Sequence, residues 1–185
     1  PFAKWFVGGQ TNLCHNAIDR HLALRGDQKA LVYISTEVDR QDSYTYRELH
    51  AEVNRFAAVL QSLGVGRGDR VIIYMPMIPE AAFAIFACAR IGAIHSVVFG
   101  GFAAASLATR IDDARPKLVV SADAGMRAGK AVPYKHLLDE AIRLARHPPQ
   151  KVVMVNRGID KSMPVQADRD VDYAGLRSKH MNASV

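Results

Sequence analysis

Cysteine is scarce in this chain: two residues in 185, Cys14 and Cys88, with no CxxC pair. That spacing excludes a disulfide framework and a cysteine-rich zinc site. Both cysteines sit in apolar periodic segments, which predicts buried free thiols and fits a reducing, cytoplasmic setting. No apolar run is long enough to span a bilayer; the longest, Ile78 to Ala89, is broken by Glu80. The opening PFAKWFVGGQTN lacks the charged-then-apolar plan of a secretory leader and looks like the middle of a longer chain. Gly-x-Ser-x-Gly and HExxH are both missing. His15, His21, His95, His136, His147 and His180 show no metal-ligand spacing with one another or with a cysteine. His95 lies in an apolar run and is expected to be a core histidine. Basic residues outnumber acidic ones by 24 to 18, for a net charge of +6. They are scattered, with no basic run or stripe, so nucleic acid ranks last among anionic partners.

What is present reads as a globular α/β chain. Hydrophobic residues make up 49% and charged residues 23%, which is ordinary for a folded domain and unlike disorder. Leu13, Ala17, Ile18 and Leu22 predict a helix from a Thr11 or Asn12 cap to about Leu24. Lys29 to Ser35 and Ser43 to Tyr46 predict a hairpin. Thr45 and Glu48 have capping-box spacing, and the helix they open carries Leu49, Val53, Phe56, Leu60 and Leu63 on one face up to Gly64. GVGRGD imitates a dinucleotide fingerprint. It follows a helix and precedes a strand, so it is a connecting loop.

From Val71 onward, strands and helices alternate. Strands are predicted at Val71–Met75, Ala93–Phe99, Leu118–Ser121 and Lys151–Val155. Helices are predicted from Glu80 to Ile91, from Ala103 to Ala114 and from Tyr134 to Arg146. This alternation predicts a largely parallel sheet flanked by helices, with ligands bound beyond the carboxyl ends of its strands. Residues 156–185 are polar and loop-rich, with one short helix near Asp172–Lys179.

Two segments are placed to carry chemistry. Ala124-Gly-Met-Arg-Ala-Gly-Lys-Ala131 falls between a strand and a helix. It nearly matches the P-loop pattern GxxxxGK followed by Ser or Thr, but Ala124 replaces the first glycine and Ala131 the magnesium-binding hydroxyl. What survives is a basic loop whose glycines admit a close ligand and whose Arg127 and Lys130 suit a phosphate. A solvated surface loop with two incidental cations fits the composition equally well. Gly100-Gly101 follows a strand and opens a helix, where backbone N–H groups can hold an anion. A tight turn at positive φ is the simpler account. Asp112-Asp113 and Asp139-Glu140 are adjacent on helices, do not face one another, and form no catalytic carboxylate pair.

Several longer stretches are more specific. Trp5-Phe6, Gly8-Gly9, Thr11-Asn12-Leu13, and Asn16 through Asp19-Arg20-His21 lead to Thr45-Tyr46-x-Glu48-Leu49. Then come Gly68-Asp69-Arg70-Val71, Tyr74-Met75-Pro76-Met77 and the run Ala89-Arg-Ile-Gly-Ala-Ile-His-Ser-Val-Val-Phe-Gly-Gly-Phe102. Ala122-Asp123 with Arg127-Ala-Gly-Lys130 completes the set. Together they resemble the short-chain acyl-CoA synthetases, which are adenylate-forming enzymes, over nearly the whole chain. Asn12-Leu13-Cys14-His15-Asn16 and Arg110-Ile-Asp-Asp-Ala-Arg-Pro116 are most similar to the propionate-activating members, with the acetate-activating ones close behind.

The resemblance implies that residues 1–185 are part of the N-terminal, AMP-binding domain of such a ligase. It implies ATP, Mg2+ and CoA as the small molecules used with a short-chain carboxylate. Arg127, Ala128, Gly129 and Lys130 match contacts with the phosphates of the CoA nucleotide, and Gly100 and Gly101 match a backbone approach to CoA. The family's Thr/Ser/Gly-rich phosphate loop and catalytic lysine are not among these residues. The segment alone is therefore expected to be inactive, with most of the ATP and Mg2+ site elsewhere. A self-standing module that binds a phosphorylated nucleotide is the rival expectation.

Overall fold

The structure, a computed structural model, describes residues 2–36, 38–100 and 102–185. The N-terminal helix is broken into α1 (Leu13–Ala17), a 3-10 turn (Asp19–His21) and α2 (Leu22–Arg25). The break falls at Ile18, whose backbone leaves the helical region while its side chain is fully buried. Asn12 caps α1 through His15 N–H and also donates to Ala89 O at 2.7 Å.

β1 (Lys29–Ser35) and β2 (Arg40–Thr45) form the expected hairpin, with β2 starting earlier than its sequence suggests. α3 (Tyr46–Ser62) opens with a complete capping box: Thr45 Oγ1 accepts from Glu48 N–H, and Glu48 Oε2 accepts from Thr45 N–H at 2.8 Å.

Five parallel strands form the central sheet. They are β3 (Arg70–Tyr74), β4 (Ile94–Val98), β5 (Leu118–Ala122), β8 (Lys151–Val155) and β9 (Asp170–Asp172), in the order β4-β3-β5-β8-β9. Three of them, β3, β5 and β8, are buried on both faces. The period of two therefore sends Val71 and Ile73 to one core and Ile72 and Tyr74 to the other. The first core is closed by α3 and α4 (Pro79–Arg90), and the second by α5 (Ala104–Ala114) and α6 (Tyr134–Leu144). Each fully buried aliphatic side chain in these layers contributes roughly 1.5–3 kcal/mol. α7 (Tyr173–Lys179) packs on α3, where Tyr173 and Phe56 stack at 4.6 Å.

β4 lies at the sheet edge, so His95 is half-buried there instead of in the core. Its pKa is pushed down by burial. β9 was not foreseen, because Asp-Val-Asp offers a single apolar residue between two carboxylates. Cys14 and Cys88 are both free and buried, and burial pushes the Cys88 thiol up to about 12. No described helix is long and apolar enough to cross a membrane.

Candidate functional site

The chain runs from β3 to β4 on one side and then returns to β5 on the other. Strand order thus reverses at β3, and ligands of α/β sheets bind in the crevice such a reversal opens. A groove of about 890 Å³ occupies that position. Met75 and Pro76 after β3 line it, with Phe99 and Gly100 after β4, and Tyr33 and Ile34 of the β1–β2 hairpin wall one end. Arg127 and Arg157 also line it, so a largely apolar trough carries two guanidinium groups.

The segment read as a basic loop is a β-hairpin. β6 (Gly125–Arg127) pairs antiparallel with β7 (Lys130–Val132), and Arg127 stands opposite Lys130. The two turn residues, Ala128 at φ 49° and Gly129 at φ 74°, both adopt positive φ. That is the tight turn whose twist matches paired strands. Three-residue strands have no readable period, which is why the sequence suggested a loop. Arg127, Ala128, Gly129 and Lys130 are all exposed at the hairpin tip. Neither cation has an ion-pair partner among the described residues.

Gly100 is brought to the same groove, but not as a positive-φ turn. Its missing side chain makes room for Tyr134: a Cβ there would lie 1.8 Å from the Tyr134 hydroxyl oxygen. A Cβ on Gly125 would meet the same ring at 3.0 Å. Tyr134 also stacks on Tyr74 at 5.0 Å, and Tyr74 Oη donates to Gly100 O at 3.5 Å. Burial, reinforced by the neighbouring Tyr134, pushes the Tyr74 phenol up to about 12, so it stays a neutral donor. One aromatic pair therefore ties the loop after β4 to the root of the hairpin. Gly101 lies outside the described residues.

Tyr134 and Arg157 were not singled out from the sequence, and Asp123 only as part of the family-like Ala122-Asp123 pair. The only signal for Tyr134 was two glycines, Gly100 and Gly125, each leaving room for a ring that the sequence does not name. The adjacent carboxylates are spent on structure: Asp112 accepts from Arg146 and His147 N–H groups, and Asp139 pairs with Lys135. Among the described residues no group of three or more His, Cys, Asp or Glu is placed to hold a metal. The arrangement suits an elongated ligand with an apolar stretch and an anionic end, and among the described residues it contains no pair of groups set for acid–base chemistry.

The model of the AMP-binding enzyme family matches residues 18–181. Propionate–CoA ligase of Escherichia coli (strain K12) is 58% identical over all 185 residues, which span 29% of its length. Acetyl-coenzyme A synthetase of Methylobacterium radiotolerans is 52% identical over 170 residues, covering 92% of this chain and 26% of that one. Among solved structures, acetoacetyl-CoA synthetase from Streptomyces lividans superposes with a TM-score of 0.83 at 29% identity, covering 96% of this chain and 26% of its own. The chain thus spans less than a third of the relatives it matches, and its fold is the adenylate-forming one. With the family model matched across most of its length, this chain belongs to the AMP-binding enzymes.

Proposed function

We propose that these residues are the N-terminal part of an AMP-forming acid–thiol ligase that acts on propionate, with acetate the second choice. In such a ligase a carboxylate oxygen attacks the α-phosphorus of ATP and pyrophosphate leaves. The CoA thiolate then attacks the acyl carbon of the adenylate and AMP leaves, giving the thioester. Adenylation replaces a poor leaving group with a good one, and charge on the phosphates must be neutralised during the transfer. The single observation that carries this reading is the 58% identity to a propionate–CoA ligase along the entire chain.

Within it, the segment contributes a wall of the CoA site. Arg127 and Lys130 neutralise phosphates of the CoA nucleotide, Arg127 by its planar fork and Lys130 as a point charge. Ala128 and Gly129 present backbone at the turn between them. Gly100, with Gly101 beside it, gives CoA a close backbone approach along the groove. Residues 1–185 are then part of the N-terminal domain, with 156–185 its polar, loop-rich end. Among the described residues no cluster of carboxylates is set to hold Mg2+, and most of the ATP and Mg2+ site belongs to other parts of the ligase. Two buried free thiols support a cytoplasmic setting.

The test is product analysis of the complete ligase that carries this segment, supplied with ATP, CoA and either acid. AMP, pyrophosphate and acyl-CoA should appear together, with the higher kcat/KM for propionate. Release of ADP, or no thioester from either acid, would overturn the proposal.

A further inference from the structure

The hairpin that carries Arg127 is too short to hold its own position. Each strand has three residues, and an isolated two-stranded ribbon is marginal in water. Its root is tied down by two residues 34 positions apart, Asp123 and Arg157.

Asp123 is fully buried. Its Oδ1 accepts from Arg157 N–H at 3.1 Å, and its Oδ2 accepts from Ile159 N–H at 2.8 Å and Asp160 N–H at 3.1 Å. Its own N–H donates to Val155 O at 3.2 Å, and its carbonyl accepts from Lys135 N–H at 3.2 Å. One residue therefore joins the ends of β5 and β8, the first turn of α6 and the loop 157–160. Arg157, fixed at its backbone by that carboxylate, donates from Nη1 to Ala124 O at 2.9 Å. Ala124 immediately precedes β6. His136 Nε2 of α6 lies 3.1 Å from Asp160 Oδ2 on the same loop.

We propose that Asp123 and Arg157 are positioning residues for the hairpin: the buried carboxylate sets the loop, and the guanidinium sets the Ala124 carbonyl, so that Arg127 faces the groove in one orientation. A hydrogen bond from a charged donor is among the stronger kinds, and here it acts at the pivot of a ribbon with little stability of its own. Without it the hairpin samples several orientations, and a ligand must select the competent fraction, which weakens binding by that fraction. The consequence for CoA rests on the reading that Arg127 meets its phosphates.

The experiment uses the complete ligase with Arg157→Ala, Arg157→Lys and, as a control, Arg127→Ala. Trypsin cleavage after Arg127 and Lys130, mapped by mass spectrometry, reads the hairpin whatever it binds; the KM for CoA reads the consequence. In Arg157→Ala both should rise about tenfold, as expected for a charge-assisted bond lost at a site where tenfold is the natural unit of affinity. Propionate-dependent ATP–pyrophosphate exchange should be unchanged, and Arg157→Lys should restore most of the loss. Unchanged cleavage at the hairpin would overturn the proposal, because a raised KM would then mean direct contact between Arg157 and CoA. An unchanged KM in Arg157→Ala beside a raised KM in Arg127→Ala would also overturn it. Faster hairpin cleavage with no KM effect from Arg127→Ala would leave the brace standing and remove CoA as what it serves.

Discussion

Gly100 and Tyr134 occupy one volume: the space a side chain would need at Gly100 is filled by the Tyr134 hydroxyl, 1.8 Å from the Cβ position. The glycine is thus required by packing, since its φ is not in the left-handed region. The same ring rests on Tyr74 and beneath Gly125, so the loop after β4 and the β6–β7 hairpin share a support.

Gly100→Ala therefore has to move Tyr134 or the loop. Overpacking of this kind costs about 1–3 kcal/mol. Urea unfolding of the chain should show that loss. The loss should shrink in a Tyr134→Ala background, where the double-mutant cycle removes the clash. Equal losses in both backgrounds would refute the packing account.

The capping box at Thr45 and Glu48 is local and exposed. Thr45→Ala should cost about 1 kcal/mol. Thr45→Ser should cost much less, because its hydroxyl also accepts from the Glu48 N–H and donates to Glu48 Oε2. Unfolding midpoints of the two variants provide the comparison.

Stability should fall in acid partly through Asp170. Its carboxylate is 2% exposed and faces Lys135 Nζ at 2.9 Å, Arg169 Nε at 2.8 Å and Gln166 N–H at 2.8 Å. Burial alone pushes its pKa up, but Arg169, the Gln166 N–H and Lys135 together hold it below the usual value. A folded pKa depressed below the unfolded one, about 3.9, means stability that is fully present above that value and lost as pH falls through the folded pKa. Asp170→Asn should be less stable than the parent at pH 7, with the gap closing below about pH 4. Lys135→Met, which takes one of two cations from the buried Asp170 carboxylate and leaves Arg169 on it, should cost at most about 3 kcal/mol at pH 7. Urea unfolding at stepped pH checks both.

The central sheet was legible because β3, β5 and β8 are continuous apolar runs, and a strand buried on both faces has little other composition to choose from. The capping box was legible because its two partners are three residues apart. Elsewhere the signal was absent or misleading. β9 joins the sheet through backbone bonds to β8, and of its three residues only Val171 is apolar and packs on the core. Ile18 fits the helical period of its neighbours, yet it breaks the helix to reach the core. Arg127 and Lys130 stood out as cations near glycines. Their hairpin geometry did not, since it depends on Tyr134 and on the bonds from Asp123 and Arg157 across more than thirty residues. Gly100 looked like a turn because its true reason, a tyrosine 34 positions later, leaves no local trace.

Arg127→Ala in the complete ligase, with the two half-reactions measured separately, reads what the hairpin does. The KM for CoA should rise about ten- to a hundredfold, as for loss of one charged hydrogen-bonding group worth roughly 1.5–3 kcal/mol. Propionate-dependent ATP–pyrophosphate exchange, which needs no CoA, should stay within about twofold of the parent, well short of that tenfold unit. Equal damage to both half-reactions, or an unchanged KM for CoA, would contradict the claim that this hairpin grips the nucleotide end of CoA.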